Sequence, residues 1–302
     1  MDEKELVNKY EKLIPGISVL FPEENWMQFI TKDGLQLHTY RYPSKSAKSV
    51  LISLHGLNSY SQPTGVIAKE LAASNCEVLA FDFRGHGKSQ GIRGFIKSIS
   101  DLVEDTLDFI LEVEKLYPNL PLFLMGGSLG AAVVTQVSIK IPKKVSGIIL
   151  INPALGINSR FEGCVRSVSN CLAYFCPTYP IYRSDLNRTS RNQHLHEYIH
   201  ENQYYYNGRI RIGTSAAALN AMKELRKCKK NVSNSVLLIQ GSEDKVTNVD
   251  KVMNFMKKIT VEDKTLLMYP GRPHSIVFED AVFEIAAKIV DWVSRRSEKK
   301  DD

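Results

Sequence analysis

A secretory leader is not expected from the opening residues. They read Met1-Asp2-Glu3-Lys4-Glu5-Leu6, neither basic at the start nor followed by an apolar stretch, so export by that route is not expected. No apolar run approaches the roughly 18 residues of a membrane span. There is no Cys-x-x-Cys pair, and the cysteine count is odd: Cys76, Cys164, Cys171, Cys176 and Cys228. Free thiols in a reducing compartment are the expectation. With no leader expected, the sequons Asn187-Arg188-Thr189 and Asn231-Val232-Ser233 are expected to go unused. A basic stripe is also missing. Lys and Arg number 39 against 33 Asp and Glu, a net charge of +6, so nucleic acid is not an expected partner. Neither an internal repeat nor a low-complexity segment interrupts the chain. These absences favour a cytoplasmic, globular protein.

What is present is a chain of 302 residues, 43% hydrophobic and 24% charged. That suffices for one large α/β domain or two small ones. Strand patterns fall at Trp26 to Ile30, Leu35 to Tyr42, Val50 to Leu54, Glu77 to Phe83, Leu122 to Met125, Gly147 to Ile151, Val236 to Gln240 and Lys264 to Tyr269. Several are apolar on consecutive residues, the pattern of strands covered on both faces. Helical patterns lie between them: Thr64 to Ala73, Ser100 to Leu116, Leu129 to Ile141, Asn248 to Ile259 and Val277 to Ser294. This alternation predicts an α/β fold with a mostly parallel, eight-stranded sheet and helices on both faces. Lys32-Asp33-Gly34 reads as a hairpin turn between the first two strands. The charged tail Arg295 to Asp302 reads as frayed.

The alternation breaks between about Pro153 and Lys230. Phe161, Cys164, Val165, Val168, Cys171, Leu172 and Phe175 form a helical apolar stripe there. The stretch 153–230 reads as a helical cap (lid) inserted within a single domain, 1–302, and over its site. Cys164 and Cys171 lie seven residues apart and are expected on the cap's inner face.

The strongest chemical signal is Gly126-Gly127-Ser128-Leu129-Gly130, between a strand and a helix. Such a G-x-S-x-G turn is a nucleophile elbow: a sharp, strained turn holds the serine oxygen above the sheet, and flanking glycines let strand and helix approach. Chance alone gives roughly 0.1 matches in a chain of this length. A serine hydroxyl needs a base. Downstream, Asp244 follows one strand pattern and His274 the next, both at strand carboxyl ends. Glu243 and Asp250 are the neighbouring alternatives for the acid. His274 would take the proton of Ser128, and Asp244 would fix the imidazole tautomer. The oxyanion needs two preplaced donors. The N–H groups of Leu129 and of Leu57, in His55-Gly56-Leu57-Asn58, are assigned to that role. His55 and His86 read as structural.

His55-Gly56-Leu57, Asp82 to Ser89, the Ser128 elbow, Gln240 to Val246 and Gly271 to His274 occur in that order. Together they resemble the monoglyceride lipase and lysophospholipase family of α/β-hydrolases, the serine aminopeptidase S33-like hydrolases, from about residue 25 to 295. The resemblance implies a triad of Ser128, Asp244 and His274, an oxyanion hole at Leu57 and Leu129, and a cap with an apolar face turned to lipid. It implies ester hydrolysis through an acyl-enzyme, with water as second substrate and no cofactor. A monoacylglycerol is the first substrate expected, a lysophospholipid or other soluble ester the alternative. Where family members often carry Asp-Pro near the cap end, this chain has Asn202-Gln203-Tyr204-Tyr205-Tyr206-Asn207-Gly208, which leaves the pocket's shape open. The stripe from Phe161 to Phe175, flanked by Arg160 and Arg166, suggests peripheral membrane contact through the cap. Packing of that helix on the core is the competing reading.

Two other functional classes have some footing in the sequence. His196-Glu197-Tyr198-Ile199-His200 matches H-E-x-x-H, the helical zinc site of metallopeptidases, with His194 or Glu224 as a third ligand. It lies inside the expected cap and leaves the triad unexplained, so a solvated histidine-rich face is the better account. A non-catalytic hydrolase-fold binding protein would be expected to lack triad residues, and all three are here.

Overall fold

A computed structural model describes residues 2–298 except Asn158 and Arg160. Arg160 and the last tail residues, 299–302, lie outside the described residues. The strands are β1 (Glu23–Glu24), β2 (Phe29–Ile30), β3 (Gln36–Leu37), β4 (Thr39–Tyr42), β5 (Ser49–Leu54), β6 (Cys76–Phe81), β7 (Leu122–Gly127), β8 (Val145–Ile151), β9 (Pro180–Tyr182), β10 (Ile210–Arg211), β11 (Ser235–Gly241) and β12 (Lys264–Tyr269). The helices are α1 (Glu3–Tyr10), α2 (Gly65–Ala73), α3 (Ile99–Leu116), α4 (Leu129–Lys140), α5 (Glu162–Phe175), α6 (Gln193–Glu201), α7 (Ile212–Cys228), α8 (Val249–Lys258) and α9 (Val282–Ser297).

Eight strands form one sheet in the order β1-β4-β6-β5-β7-β8-β11-β12. β6, β5, β7, β8, β11 and β12 run parallel, and β4 and β1 close the far edge antiparallel. The consecutive apolar residues explain the layers. Along β5, Val50, Ile52 and Leu54 enter a cluster with α3 and α4, whereas Leu51 faces one built with α2 and α9. β7 and β11 split the same way: Leu124 and Leu238 on one side, Phe123 and Ile239 on the other. A strand with helices on both faces has no residue to spare for solvent, so alternation vanishes from its sequence.

The edge differs from the sequence reading. The hairpin around Lys32 to Gly34 exists, with Phe29 opposite Leu37 and Ile30 opposite Gln36, but it stands outside the large sheet. The expected strand from Leu35 to Tyr42 breaks at His38, whose N–H is taken by the Ser89 hydroxyl at 2.8 Å. The eighth strand is Glu23–Glu24, paired with Arg41 and Tyr40. The helix expected from Ser100 starts one residue earlier, at Ile99, and is capped by the Ser98 hydroxyl, which accepts the Ser100 N–H. The helix expected from Val277 starts at Val282, after a 3₁₀ turn at Ile276–Phe278.

Between β8 and β11 the chain leaves the sheet to form α5, β9, α6, β10 and α7, with β9 and β10 paired antiparallel. α6 is bound to the start of the chain. Asp2 and Glu5 form a capping box on α1, and Leu6, Tyr10, Ile14 and Ile17 pack with Leu195, Tyr198 and Ile199. α5 is the opposite case. Its buried residues are Glu162 and Ser169, and Glu162 is clamped by Arg226 at 2.6 Å and Lys251 at 2.5 Å. The apolar stripe points away from that contact: Val168 is 58% and Phe175 76% exposed. Cys164 and Cys171 are also exposed, not turned inward as expected, because they share the stripe's face.

Candidate active site

β7 ends in two glycines and α4 begins at Leu129, leaving Ser128 alone to make the turn. Its φ is +50°, a conformation that costs a non-glycine residue on the order of 1–3 kcal/mol and that the surroundings must enforce. They do so through backbone pairing. The Ser128 N–H donates to Ile151 O at 2.9 Å, and its carbonyl accepts from Ala154 N–H at 3.1 Å. The glycines serve the approach of strand and helix. A Cβ on Gly126 would lie 2.4 Å from the Gly130 carbonyl carbon, and one on Gly130 would lie 2.3 Å from Leu54 O.

Beside the elbow runs the loop after β5. A Cβ on Gly56 would sit 3.3 Å from the Ser128 Cβ, so the backbone at Gly56, the residue before Leu57, passes directly alongside the serine. His55 fixes that loop. Its Nε2 accepts from Phe83 N–H at 2.9 Å, which makes Nδ1 the protonated nitrogen, donating to Gly56 O at 2.7 Å. Burial pushes its pKa down to about 4, so it stays neutral. His86, buried nearby, is likewise lowered to about 3, by burial first and the neighbouring His55 second. Leu129 opens α4, so its N–H has no acceptor within the helix and projects at the turn.

The acid and the histidine arrive from the ends of β11 and β12. Of Glu243, Asp244 and Asp250, Asp244 makes the contact: its Oδ2 lies 2.7 Å from His274 Nδ1. Glu243 is exposed and engages Arg191, and Asp250 sits in the first turn of α8. Asp244 is buried and fully dressed. Oδ1 accepts the N–H groups of Val246 and Thr247, each at 2.8 Å, and Oδ2 also accepts the Thr247 hydroxyl at 2.7 Å. Burial alone would raise its pKa. The His274 charge and these hydrogen bonds outweigh burial and hold the carboxyl below its ordinary value. With Nδ1 turned to the carboxylate, His274 presents Nε2 as its reactive nitrogen.

One residue of this region gave no motif. Asn152, just past β8, is buried with φ +44°. Its side chain bonds the backbone of both Gly241 and His274. A polar residue ending an apolar strand was the available signal.

The H-E-x-x-H residues are spent elsewhere. His196 is buried, its Nε2 3.0 Å from Ser190 O and Nδ1 3.2 Å from Gln193 Oε1. His200 is exposed, and Glu197 faces His194 and Tyr10. Among the described residues no group of three or more His, Cys, Asp or Glu is placed to hold a metal. A cavity of about 490 Å³ opens between α5, α7 and the start of α3, lined by Phe95, Ile99, Ala173 and Ala217. Ser128, Asp244 and His274 are not among its lining residues, so it is separate from the sheet-edge chemistry.

A sequence profile of the hydrolase family described as serine aminopeptidase S33 matches residues 45–281. The chain belongs to this family. Its α/β-hydrolase fold is shared with a monoacylglycerol lipase of Paleococcus ferrophilus, with a TM-score of 0.78 and 25% identity over 86% of this chain and 99% of that one. A soluble variant of monoglyceride lipase from Saccharomyces cerevisiae, solved with a substrate analog, superposes with a TM-score of 0.82. It is 19% identical over 94% of this chain and 98% of that one. In sequence, monoglyceride lipase of Rattus norvegicus is 26% identical, covering 91% of this chain and 92% of its own.

Proposed function

We propose that this S33-family hydrolase is a serine esterase of the monoacylglycerol lipase type. The observation that carries the reading is the 2.7 Å contact of His274 Nδ1 with Asp244, at the sheet edge that also bears the strained Ser128. His274 Nε2 takes the proton of the Ser128 hydroxyl as the oxygen attacks the ester carbonyl. Asp244 holds the tautomer and stabilises the imidazolium. The N–H groups of Leu57 and Leu129 receive the oxyanion. The protonated His274 then gives its proton to the leaving alcohol, and water, activated in turn by His274, releases the acid from the acyl-serine.

The substrate class rests on the relatives and on the insertion. Residues 153–230 act as the cap of a single domain. α5 is fastened by its polar side and displays Val168, Leu172 and Phe175 outward, an arrangement suited to meeting a lipid surface from which an insoluble ester is drawn. The contact proposed is peripheral, made by the exposed side chains of α5; among the described residues no helix is long and apolar enough to cross a membrane. A lysophospholipid is the second reading. It is favoured by Arg188, an exposed guanidinium bonded to Lys245 O immediately beside Asp244, where an anionic headgroup could pair.

Turnover of a monoacylglycerol, a lysophospholipid and a short soluble ester, with Ser128→Ala as the blank, tests the assignment. Preference for the monoacylglycerol supports it. Preference for the lysophospholipid, reduced in Arg188→Ala, moves the assignment to the second reading. Hydrolysis of the short ester alone removes the lipid.

A further inference from the structure

Asn152 is bonded to the loops that carry Asp244 and His274 and, through the preceding peptide, to the Ser128 turn. Its own N–H donates to Ile239 O at 2.8 Å. Its Oδ1 accepts the Gly241 N–H at 2.8 Å, at the root of the loop that carries Asp244. Its Nδ2 donates to the main-chain carbonyl of His274 at 2.5 Å and lies 3.4 Å from that of Pro273. The peptide that precedes it ends in Ile151 O, the acceptor of the Ser128 N–H. Both ends of the amide are used, and the residue is 1% exposed.

We propose that Asn152 is a positioning residue for the triad: its amide sets the height and tilt of the His274 main chain, and so the reach of the imidazole from Asp244 to Ser128. The Asp244 contact fixes only one edge of the ring. Where Nε2 stands depends on the backbone, which sits on a loop that turns through Gly271 at φ +71°. Asn152 anchors that loop at the reacting residue itself and references it to the strand that also holds the Ser128 backbone. Its left-handed φ, which asparagine tolerates better than most residues, aims the amide across the strand ends. A misplacement near 1 Å at a reacting group costs on the order of 100-fold in rate. This inference rests on the triad reading.

Two variants separate positioning from simple stability. Asn152→Asp keeps the shape and the left-handed φ, but turns an oxygen toward the His274 carbonyl. Asn152→Gly keeps the φ and removes the amide. Both are measured on a short soluble ester, with kcat expressed per site titrated by a fluorophosphonate. We expect kcat per titrated site to fall by roughly 30- to 300-fold with KM within about twofold, and the midpoint of the acidic limb of kcat/KM to move. An unchanged kcat per titrated site and an unchanged midpoint, with loss only in the titratable fraction, would make Asn152 a stabiliser and nothing more. Should neither variant fold, the wild-type amide decides. The Asn152 side-chain protons should be protected from exchange and should shift when Ser128 is phosphonylated; fast exchange with no shift overturns the proposal. Ser128→Ala and His274→Ala run alongside. Activity surviving in them overturns the triad itself, whereas their silence beside unaffected Asn152 variants overturns the positioning role alone.

Discussion

His274 and Asp244 meet at 2.7 Å although 30 residues separate them, because β11 and β12 run parallel and both release their chains at one edge of the sheet. The carboxylate accepts two N–H groups and a hydroxyl besides the imidazole, so its ionised form is held before substrate arrives. Asp244→Asn should leave the fold in place and lower kcat by roughly 10³- to 10⁴-fold, since the amide would favour the wrong imidazole tautomer. Steady-state kinetics with a circular dichroism control checks this. A loss below tenfold would point to Glu243 or Asp250 as the acid.

The glycines of the elbow are not equivalent. Alanine at Gly126 or Gly130 drives a Cβ to within 2.4 or 2.3 Å of backbone, whereas one at Gly127 meets nothing within 4 Å. Gly126→Ala and Gly130→Ala should each cost at least about 2 kcal/mol and abolish turnover. Gly127→Ala should unfold within about 0.5 kcal/mol of wild type. Urea denaturation of the three variants decides, and equal costs would contradict the geometry.

Leu172 is 44% and Phe175 76% exposed. Leu172→Asp and Phe175→Asp should therefore shift stability by no more than about 0.5 kcal/mol. They should reduce vesicle co-sedimentation and lipid turnover several-fold while leaving the short soluble ester untouched. Unchanged vesicle binding would remove the lipid-facing role from α5.

Glu24 gives an acid-dependent contribution. Burial opposes its ionisation, but hydrogen bonds from His38, Lys88 and Gln62 outweigh burial and bring its pKa down to about 2. A carboxyl depressed on folding stabilises the protein fully above its unfolded pKa, about 4.3, and loses that contribution as pH falls toward the folded value. Glu24→Gln should be less stable than wild type by about 1–2 kcal/mol above pH 5, after allowance for partial exposure. The gap should close by about pH 2. A gap independent of pH would show that the charge is not its source.

The parts read correctly from the sequence were those where one physical demand dominates. β5, β7, β8 and β11 must satisfy helices on both faces, so their apolar runs were unmistakable. The Ser128 turn must be glycine-flanked. The edge of the sheet escaped because Glu23 and Glu24 carry no apolar signal; they are held by pairing with Arg41 and Tyr40. α1 escaped although Asp2 and Glu5 form its capping box, for its apolar residues make sense only against α6. On α5 the stripe was legible but its direction was not. Periodicity shows that one face is apolar, and only Glu162, clamped by Arg226 and Lys251, reveals that the polar face is the buried one. Asn152 was silent because its partners are backbone atoms of distant loops.

Intact-mass measurement after fluorophosphonate treatment, on the wild type and on Ser128→Ala, tests the central claim most directly. The account predicts a single phosphonyl adduct on the wild-type chain, mapped to the peptide containing Ser128 and absent from the variant. An unmodified wild type, or an adduct that persists in Ser128→Ala, would contradict it.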